Sequence, residues 1–293
     1  MIIVKLKGGL GNQMFQYAMG RRIACINELS VKFDLSWFEN VGYDTLREYE
    51  LKHFRIHEEI ATKAEIERFI NDTYIKNKIR RLQNKLVPLK WRSLVTERKT
   101  GFDKGMMQLR DNIYLDGFWG NEKYFIDIRE ILLEEFQLFN PSDEVNMKLA
   151  EQIGTCNSVA VHIRRGDYVT NPITYKYHGL CSLDYYERAI SEISKTTEDP
   201  HFFMFSDDPR WVKENIKTNY PTTYITHNTP AQGHEDLNLM FKCKHNIIAN
   251  SSFSWWGAWL NINPNKIVYA PSRWANNFSV NTRGFLPENW ITL

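Results

Sequence analysis

The chain has 293 residues, 43% hydrophobic and 25% charged, with a formal net charge of +2 at pH 7, a composition typical of a globular protein. No stretch approaches the ~20 apolar residues of a membrane-spanning helix, and the apolar start at residues 1–6 is too short for a secretory leader. The four cysteines lie far apart without C-x-x-C spacing, which excludes a zinc motif and favours free thiols in a reducing compartment. We therefore expect a soluble, cytoplasmic protein.

The N-terminal half begins with a strand, a glycine turn and a helix. The predicted elements, in chain order, are a strand at residues 2–6, a tight turn at 8–11, a helix capped by Asn12, strands at 31–34 and 112–117, and a helical segment at 122–135. Apolar residues recur at helical spacing in the first helix, so we expect them to face inward: Phe15, Met19, Ile23 and Ile26.

Residues 58–104 interrupt this pattern as a predicted helical, basic insertion. The stretch 76–104 carries ten Lys and Arg side chains against Glu97 and Asp103. Such a run is usually a solvated helix face, and the alternative is a patch that contacts an anionic membrane surface or a lipid-phosphate-linked acceptor. Because no aromatic platform interleaves the run, nucleic-acid binding is not expected.

Strands and helices alternate regularly in the C-terminal half. We predict strands at 158–163, 201–206, 222–226, 246–249 and 266–270, and helices that start at the caps Ser182 and Asp208 and at residues 235 and 252. Such alternation implies right-handed crossovers and a parallel sheet covered on both faces. The sequence therefore predicts an α/β fold of two Rossmann-like domains, residues 1–150 with the basic insertion and residues 151–293, with parallel sheets facing a cleft. Ligands of such sheets bind beyond the carboxyl ends of the strands.

A glycine-rich loop follows the first predicted strand. Its candidate ligand-binding residues are Gly9, Gly11, Asn12 and Gln13, because backbone N–H groups at the start of a helix hold anions. The loop has neither the third glycine of a dinucleotide fingerprint nor the ending of a Walker loop. A bare tight turn is the structural alternative.

The predicted strand at 158–163 leads into two adjacent arginines. His162 and Arg164 share one face of the extended chain, whereas Arg165 lies past its end. Two neighbouring guanidiniums are costly to bury without an anion. A planar guanidinium with five N–H donors suits a diphosphate, because it stabilises the negative charge that develops on the departing phosphate. The alternative is that Arg165 forms an internal ion pair with Asp167. We expect the ion pair and the diphosphate contact to occur together, with Asp167 orienting Arg165.

Two further strand ends carry polar side chains. Asp207 could accept from the N1–H and N2–H groups of a guanine, and capping of a helix by Asp208 is an alternative of equal weight. Both are candidate donor-binding residues. Ser251, Ser252 and Ser254 open a later helix and predict a second phosphate cradle. Capping of that helix by one serine needs no ligand.

Five stretches carry a resemblance to known proteins. They are the Gly-Gly-Leu-Gly-Asn-Gln run and its continuation at 8–17, the aromatic stretch at 115–125, the His-x-Arg-Arg-x-Asp motif at 162–167, Ser-Asp-Asp at 206–208, and the run Asn-Ser-Ser-Phe-Ser-Trp-Trp-Gly at 250–257. In this order they resemble the bacterial α-1,2-fucosyltransferases of glycosyltransferase family 11. The likeness spans residues 3 to about 261, nearly the whole chain.

The resemblance implies a GT-B architecture, transfer of L-fucose from GDP-fucose with inversion at C1, and an α-1,2 linkage to a galactoside in surface polysaccharide (O-antigen) or oligosaccharide synthesis. It implies no divalent metal and no other cofactor. By similarity, Arg164 binds the β-phosphate, His162 lines the donor site and Asp207 faces guanine, while the loops at 9–13 and 251–254 contact phosphate or sugar. The aromatic stretch supplies the expected acceptor contacts: Phe118, Trp119 and Glu122.

The general base is open at this point. It must come within ~3 Å of the attacking hydroxyl, and Asp116, Asp167, Glu122 and His227 are the candidates. We take Arg164, Asp167 and Asp116 as the predicted catalytic residues. The rivals are a GT-B transferase that uses a GDP-sugar for another linkage, and a sugar-binding protein without catalysis, which would not need an arginine pair or two phosphate cradles.

Overall fold

The computed structural model describes residues 1–39, 47–70, 87–97, 101–276 and 282–293, without the side chain of Arg283. The chain divides into two compact units, Met1–Gln137 and Leu138–Leu293, and each is built on one parallel sheet. The domain boundary predicted at residue 150 falls inside a helix of the second unit, Glu144–Thr155.

The first unit contains a four-stranded sheet in the order β2-β1-β4-β3, parallel throughout. Its strands are β1 Ile2–Lys5, β2 Val31–Asp34, β3 Leu94–Thr96 and β4 Ile113–Asp116. Its helices are α1 Leu10–Asn27, α2 Lys63–Glu67 and α3 Arg129–Glu135. Short 3₁₀ helices lie at Leu51–His53, Leu89–Trp91, Lys104–Gln108, Glu122–Tyr124 and Ile126–Ile128.

Helix α1 begins earlier than its sequence predicts. Its N-cap is Gly9, so Asn12 lies within the first turn and the predicted Asn12 cap is wrong. Three of the four predicted inward residues are buried, but Ile26, in the last turn of the helix, is 54% exposed. The predicted helical segment at 122–135 is two 3₁₀ turns followed by α3.

The basic insertion is described only in part. Residues 71–86 and 98–100 lie outside the described residues, and so does most of the run that the sequence assigns to a basic helix. The described remainder contains the single-turn helix α2, the 3₁₀ turn at Leu89–Trp91 and the short strand β3. Strand β3 belongs to the sheet, which the helical, basic pattern of the segment did not indicate.

The second unit contains a six-stranded parallel sheet in the order β10-β9-β8-β5-β6-β7. Its strands are β5 Asn157–Ile163, β6 Pro200–Ser206, β7 Thr222–Tyr224, β8 His245–Ile247, β9 Val268–Ala270 and β10 Ile291–Thr292. Its helices are α4 Glu144–Thr155, α5 Gly166–Thr170, α6 Pro172–His178, α7 Leu183–Thr196, α8 Pro209–Asn215, α9 Gly233–Lys242 and α10 Ser252–Trp259.

Helices cover both faces of this sheet, as the alternating pattern predicts. On one face, α7 packs Tyr186, Ala189 and Ile193 against apolar side chains of β5 and β6. On the other, residues of α4 and α9 pack against the opposite face of the same strands. The predicted caps are confirmed, because Ser182 accepts from a backbone N–H of α7 and Asp208 from one of α8.

Helix α10 holds three indole rings at close range. The ring centroids of Trp255 and Trp256 lie 5.1 Å apart, and that of Trp259 lies 6.0 Å from the first and 5.2 Å from the second. Trp255 and Trp256 are fully buried, so these rings fill the core. No helix among the described residues is both long enough and apolar enough to cross a bilayer.

Candidate active site

Arg164 follows the last residue of β5 and is held between two carboxylates. Its Nη2 lies 2.5 Å from Oδ1 of Asp167, and its Nη1 lies 2.9 Å from Oδ2 of Asp207. Burial alone lowers the pKa of the guanidinium, but the two carboxylates outweigh it and raise that pKa. The fork has five N–H donors, so it can hold both partners and still donate to a further anion.

Arg165 has different partners from those predicted. Its Nε lies 3.3 Å from Oδ2 of Asp208, and its guanidinium carbon lies 3.6 Å from the ring centroid of Trp211. Its backbone N–H donates to Asp207 at 2.8 Å. The predicted pair of Arg165 with Asp167 is therefore wrong, because Asp167 pairs with Arg164 instead. Asp167 thus orients Arg164 rather than Arg165.

A glycine allows Asp207 to approach this turn. A Cβ on Gly166 would lie 2.4 Å from Oδ2 of Asp207, so any other residue would push the carboxylate away from Arg164. Asp208 also caps α8, with its Oδ1 accepting from the Trp211 N–H at 3.2 Å. Asp207 thus fixes both arginines, a structural role that the guanine hypothesis did not include.

His162 is buried on β5 in a neutral form. Burial, with a smaller contribution from nearby Arg164, lowers the pKa of its imidazole to about 3. Its ring lies 5.3 Å from that of Phe253, and its Nδ1 has no hydrogen-bond partner in the part of the chain that the structure describes. A neutral imidazole can accept or donate a hydrogen bond but carries no charge.

Aromatic rings support the Arg164 side chain from one side. Its guanidinium carbon lies 5.4 Å from the ring centroid of Tyr168, and the imidazole of His178 stacks on the same ring at 4.7 Å. The Tyr168 hydroxyl donates to the carbonyl of Asn250 at 3.3 Å. Helices α5 and α6, which the sequence pattern missed, therefore tie the arginine turn to the serine loop.

Two of the three serines in the serine loop, Ser251 and Ser254, are buried. Ser251 is the N-cap of α10 without a side-chain capping bond, and Ser252 is half-buried. Ser254 is fully buried, and its hydroxyl lies 3.3 Å from the carbonyl oxygens of both Ala249 and Ser251. Ser254 therefore stabilises the loop from inside.

The glycine loop in the first unit places Gly9 at the start of α1, with Gly11 buried and Asn12 half-buried. The amide of Gln13 is fully buried and bonded to backbone groups: it donates to the carbonyls of Gly8 and Glu48 at 2.9 and 2.8 Å, and accepts from the N–H of residue 50 at 2.9 Å. Gln13, which the sequence analysis assigned to donor-substrate binding, thus stabilises the loop through these backbone hydrogen bonds.

The carboxyl edge of the first sheet brings together charges that the sequence analysis did not connect. Lys7 Nζ lies 2.6 Å from Oδ1 of Asp116 and 4.8 Å from the ring centroid of Phe118. Glu97, beyond the end of β3, accepts from the Phe118 N–H at 2.7 Å. Of the predicted acceptor contacts, Phe118 is 43% exposed, Glu122 is half-buried, and Trp119 is fully buried and packs inside the unit.

A second carboxylate at the start of α9 was also missed. Burial raises the pKa of Asp236 to about 6, although the Asn228 amide donates to it at 2.7 Å. His227, a candidate base, is bonded to the side chain of Asn146 at 2.9 Å. The sequence shows an Asp in the first turn of a helix, which is so common that it carries no signal.

Each unit has a parallel sheet with polar groups beyond its strand ends, an arrangement typical of glycosyltransferases of the GT-B type. The chain belongs to glycosyl transferase family 11, whose model matches residues 1–293. Both the predicted family and the predicted α/β, GT-B fold class are thus confirmed.

Several known proteins are similar to this chain. An alpha-1,2-colitosyltransferase of Escherichia coli is 36% identical over 297 residues, covering 100% of this chain and 98% of that protein. The O-antigen biosynthesis glycosyltransferase WbnK of Escherichia coli is 33% identical over 309 residues, covering 98% and 99%. Human galactoside alpha-(1,2)-fucosyltransferase 1 is 29% identical over 162 residues, covering 52% of this chain and 44% of that protein.

A solved structure has the same fold at low sequence identity. The NodZ alpha-1,6-fucosyltransferase, crystallised and soaked with GDP-fucose, superposes with a TM-score of 0.51 at 11% identity over 96% of each chain. NodZ is a protein of Bradyrhizobium. At this identity the likeness bears on the fold alone.

Proposed function

We propose that this glycosyltransferase moves L-fucose from GDP-β-L-fucose to a hydroxyl of a terminal galactoside, forming an α-1,2 linkage with inversion at C1. The observation that carries the proposal is Arg164 held by Asp167 and Asp207 at the carboxyl end of β5. The names of relatives that act as alpha-1,2-colitosyl- and galactoside alpha-(1,2)-fucosyltransferases support the linkage.

Arg164 stabilises the leaving group in the proposed reaction. The acceptor oxygen bonds to C1 of fucose while the bond from C1 to the β-phosphate oxygen breaks and GDP leaves with the electron pair. Negative charge grows on the phosphate, where a bidentate guanidinium is most effective. The two carboxylates fix the fork before the substrate arrives, so little reorganisation is needed.

The other donor contacts follow from the loops. We propose that the helix starts at Gly9 and Ser251 present backbone N–H groups to phosphate or sugar oxygens. We also propose that the unpaired Nδ1 of His162 forms a hydrogen bond with a polar group of the donor substrate. Because Arg164 supplies the positive charge at the diphosphate, we propose that no divalent metal is required, and we expect turnover to survive EDTA.

The base that takes the acceptor proton stays open among the four candidates. Asp167 is bonded to Arg164, Asp116 to Lys7, and His227 to Asn146. A carboxylate already paired with a cation is a weaker base than a solvated one, because the cation favours the ionised form. The proposed transition state resembles an oxocarbenium ion, so stabilisation of the leaving phosphate contributes more than a strong base.

A second candidate donor is favoured by one observation. The chain is 36% identical to an alpha-1,2-colitosyltransferase over its whole length. Colitose is fucose without the 3-hydroxyl, so a site for one sugar admits the other unless a polar side chain requires that hydroxyl.

The decisive experiment offers the purified enzyme GDP-fucose and GDP-colitose in competition, with lactose as acceptor and linkage analysis of the product. We expect a fucosyl product linked to O2 of galactose and a lower kcat/KM for GDP-colitose. Preference for GDP-colitose, or a product with another linkage, would replace the proposed donor or regiochemistry. Binding of GDP without any turnover would leave a non-catalytic sugar-binding protein.

A further inference from the structure

The loop after β4 is held in a costly conformation. Trp119 has φ +52, in the left-handed region that bulky residues avoid. Its indole N–H is buried without a hydrogen-bond partner among the residues the structure describes, which itself costs free energy. Both features lie beside the same exposed side chain, Phe118. Strain of this kind persists only where neighbouring groups enforce it, and it concentrates at functional sites.

Glu97 is the neighbour that enforces this conformation. Its carboxylate accepts from the N–H of Phe118 at 2.7 Å. Gly117 completes the fit, since a Cβ there would lie 2.6 Å from Cβ of Glu97 and 2.9 Å from the Trp119 ring. Burial raises the pKa of Glu97, while the backbone at Phe118 and Trp119 and the nearby Lys7 oppose that rise by favouring the ionised form. A carboxylate at the end of β3 thus fixes a loop at the end of β4.

The result is an exposed phenyl ring beside paired charges. Phe118 is 43% exposed, with the ammonium of Lys7 over its ring at 4.8 Å. The same ammonium holds Asp116 at 2.6 Å, and each of these two side chains is about one-fifth exposed. The Gln16 side chain fixes Lys7 by bonding to its N–H at 2.9 Å and its carbonyl at 3.2 Å.

We propose that Lys7, Asp116 and Phe118 form a subsite for a neutral pyranose of the acceptor, with Glu97 as its positioning residue. The C–H face of a pyranose packs on an aromatic ring, and its hydroxyls bond to the adjacent carboxylate and ammonium. A diphosphate would not suit this edge, because two carboxylates accompany a single ammonium. The inference rests on the proposed function only for the identity of the pyranose as a galactoside.

The test separates acceptor binding from donor binding. For Phe118→Ala we expect the KM for lactose to rise about tenfold, a loss typical of one aromatic contact, while the Kd for GDP stays unchanged. Phe118→Tyr keeps the ring and should stay within about twofold of the wild type. Trp91→Ala is the matched control, since Trp91 is 63% exposed at the opposite, amino end of β3, and it should leave both constants unchanged.

The positioning role of Glu97 is tested by a measurement that distinguishes it from a general loss of folding. We expect Glu97→Ala to raise the KM for lactose as Phe118→Ala does, with GDP affinity retained, and Glu97→Gln to recover most of the loss because its amide oxygen still accepts from Phe118. Equal KM values for Glu97→Ala and the wild type would overturn the positioning role. An unchanged KM in Phe118→Ala, which alters only a surface ring, would overturn the subsite.

Binding without turnover keeps this inference distinct from the proposed function. Saturation-transfer NMR measures contacts of lactose and of other neutral methyl pyranosides with the enzyme in the presence of GDP. If the wild type fails to use GDP-fucose, loss of these signals in Phe118→Ala but not Trp91→Ala still supports the subsite. Absence of signals from every pyranoside, or equal signals in both variants, would overturn it.

Discussion

The carboxyl edge of the second sheet holds two guanidiniums among three carboxylates, whereas the edge of the first sheet holds one ammonium beside an exposed phenyl ring. In the second unit Arg164 and Arg165 have fixed partners on both sides. In the first unit the Phe118 ring is 43% exposed, and its backbone, rather than its side chain, is what Glu97 fixes.

The two proposals assign different binding tasks to these two edges. A rigid fork of N–H donors suits an anion whose charge grows during reaction. An apolar ring next to a paired carboxylate suits a neutral polyol, which needs contact area and a few hydrogen bonds. The edges are thus chemically specialised although both belong to parallel sheets of the same type.

The strongest loss of activity is expected on the anionic side of this comparison. Arg164→Ala removes the fork, and we expect turnover to fall by a factor of about 10²–10³ or more while the variant stays folded by circular dichroism. The control is Arg210→Ala, because Arg210 is an exposed arginine of the same unit that pairs with Glu214. Near-normal turnover of Arg164→Ala would remove Arg164 from the mechanism.

A stability effect of comparable size tests the buried carboxylate of the second unit. The pKa of Asp236 is raised from 3.8 to about 6, chiefly by burial, so the folded state binds the proton more tightly than the unfolded state. Stability conferred by this group is therefore present below pH 4 and is lost as the pH rises towards 6. At about 1.4 kcal/mol per pKa unit, the loss is about 3 kcal/mol.

We expect Asp236→Asn to be more stable than the wild type at pH 7 and equal to it near pH 3.5, measured by urea unfolding at each pH. The amide keeps an oxygen that accepts from Asn228, so the hydrogen bond itself is retained. A difference in unfolding free energy that does not change with pH would contradict the prediction.

An intermediate effect defines the role of the two carboxylates on Arg164. We expect Asp167→Asn and Asp207→Asn each to lower turnover about 10- to 100-fold, because a fork that loses one charged partner is less well fixed. The preference for GDP over another nucleoside diphosphate distinguishes the two variants. If Asp207 also reads guanine, Asp207→Asn alone reduces the preference for GDP over inosine diphosphate, which lacks the 2-amino group; equal preferences in both variants leave it a purely structural partner.

The mildest change is expected at the edge of the first sheet. Asp116→Asn removes the charge that pairs with Lys7, and we expect the KM for lactose to rise about fivefold with GDP affinity unchanged, as one charged hydrogen bond is weakened. If turnover instead falls about a hundredfold or more while KM stays constant, Asp116 is the general base.

The fold follows from local sequence signals to a large extent. Strands β5 and β6 are apolar runs, and Ser182 and Asp208 are capping residues whose effect depends on three or four neighbours. Strand β3 was not predicted because its three residues lie in a basic segment, and they form a strand only through pairing with β4. The helices α5 and α6 were missed because their pattern is short and their apolar residues are mostly exposed.

The candidate site was predictable in composition but not in connectivity. The strand end shows that Arg164 and Arg165 lie near acidic residues, yet the choice of partner depends on the turn at Gly166, which brings Asp207 to the preceding strand's end. The burial of Trp119 depends on a left-handed backbone angle. Glu97 lies about twenty residues before Phe118, with no pattern to connect them.

The three indoles of α10 give the second unit an optical signature. Their rings lie 5.1 to 6.0 Å apart, close enough for their electronic transitions to couple, so we expect a paired positive and negative band in the far-ultraviolet circular dichroism spectrum. In the first unit, the described indoles at 91 and 119 form no indole–indole contact with each other. Loss of the coupled band during heating would thus report melting of the second unit separately from that of the first.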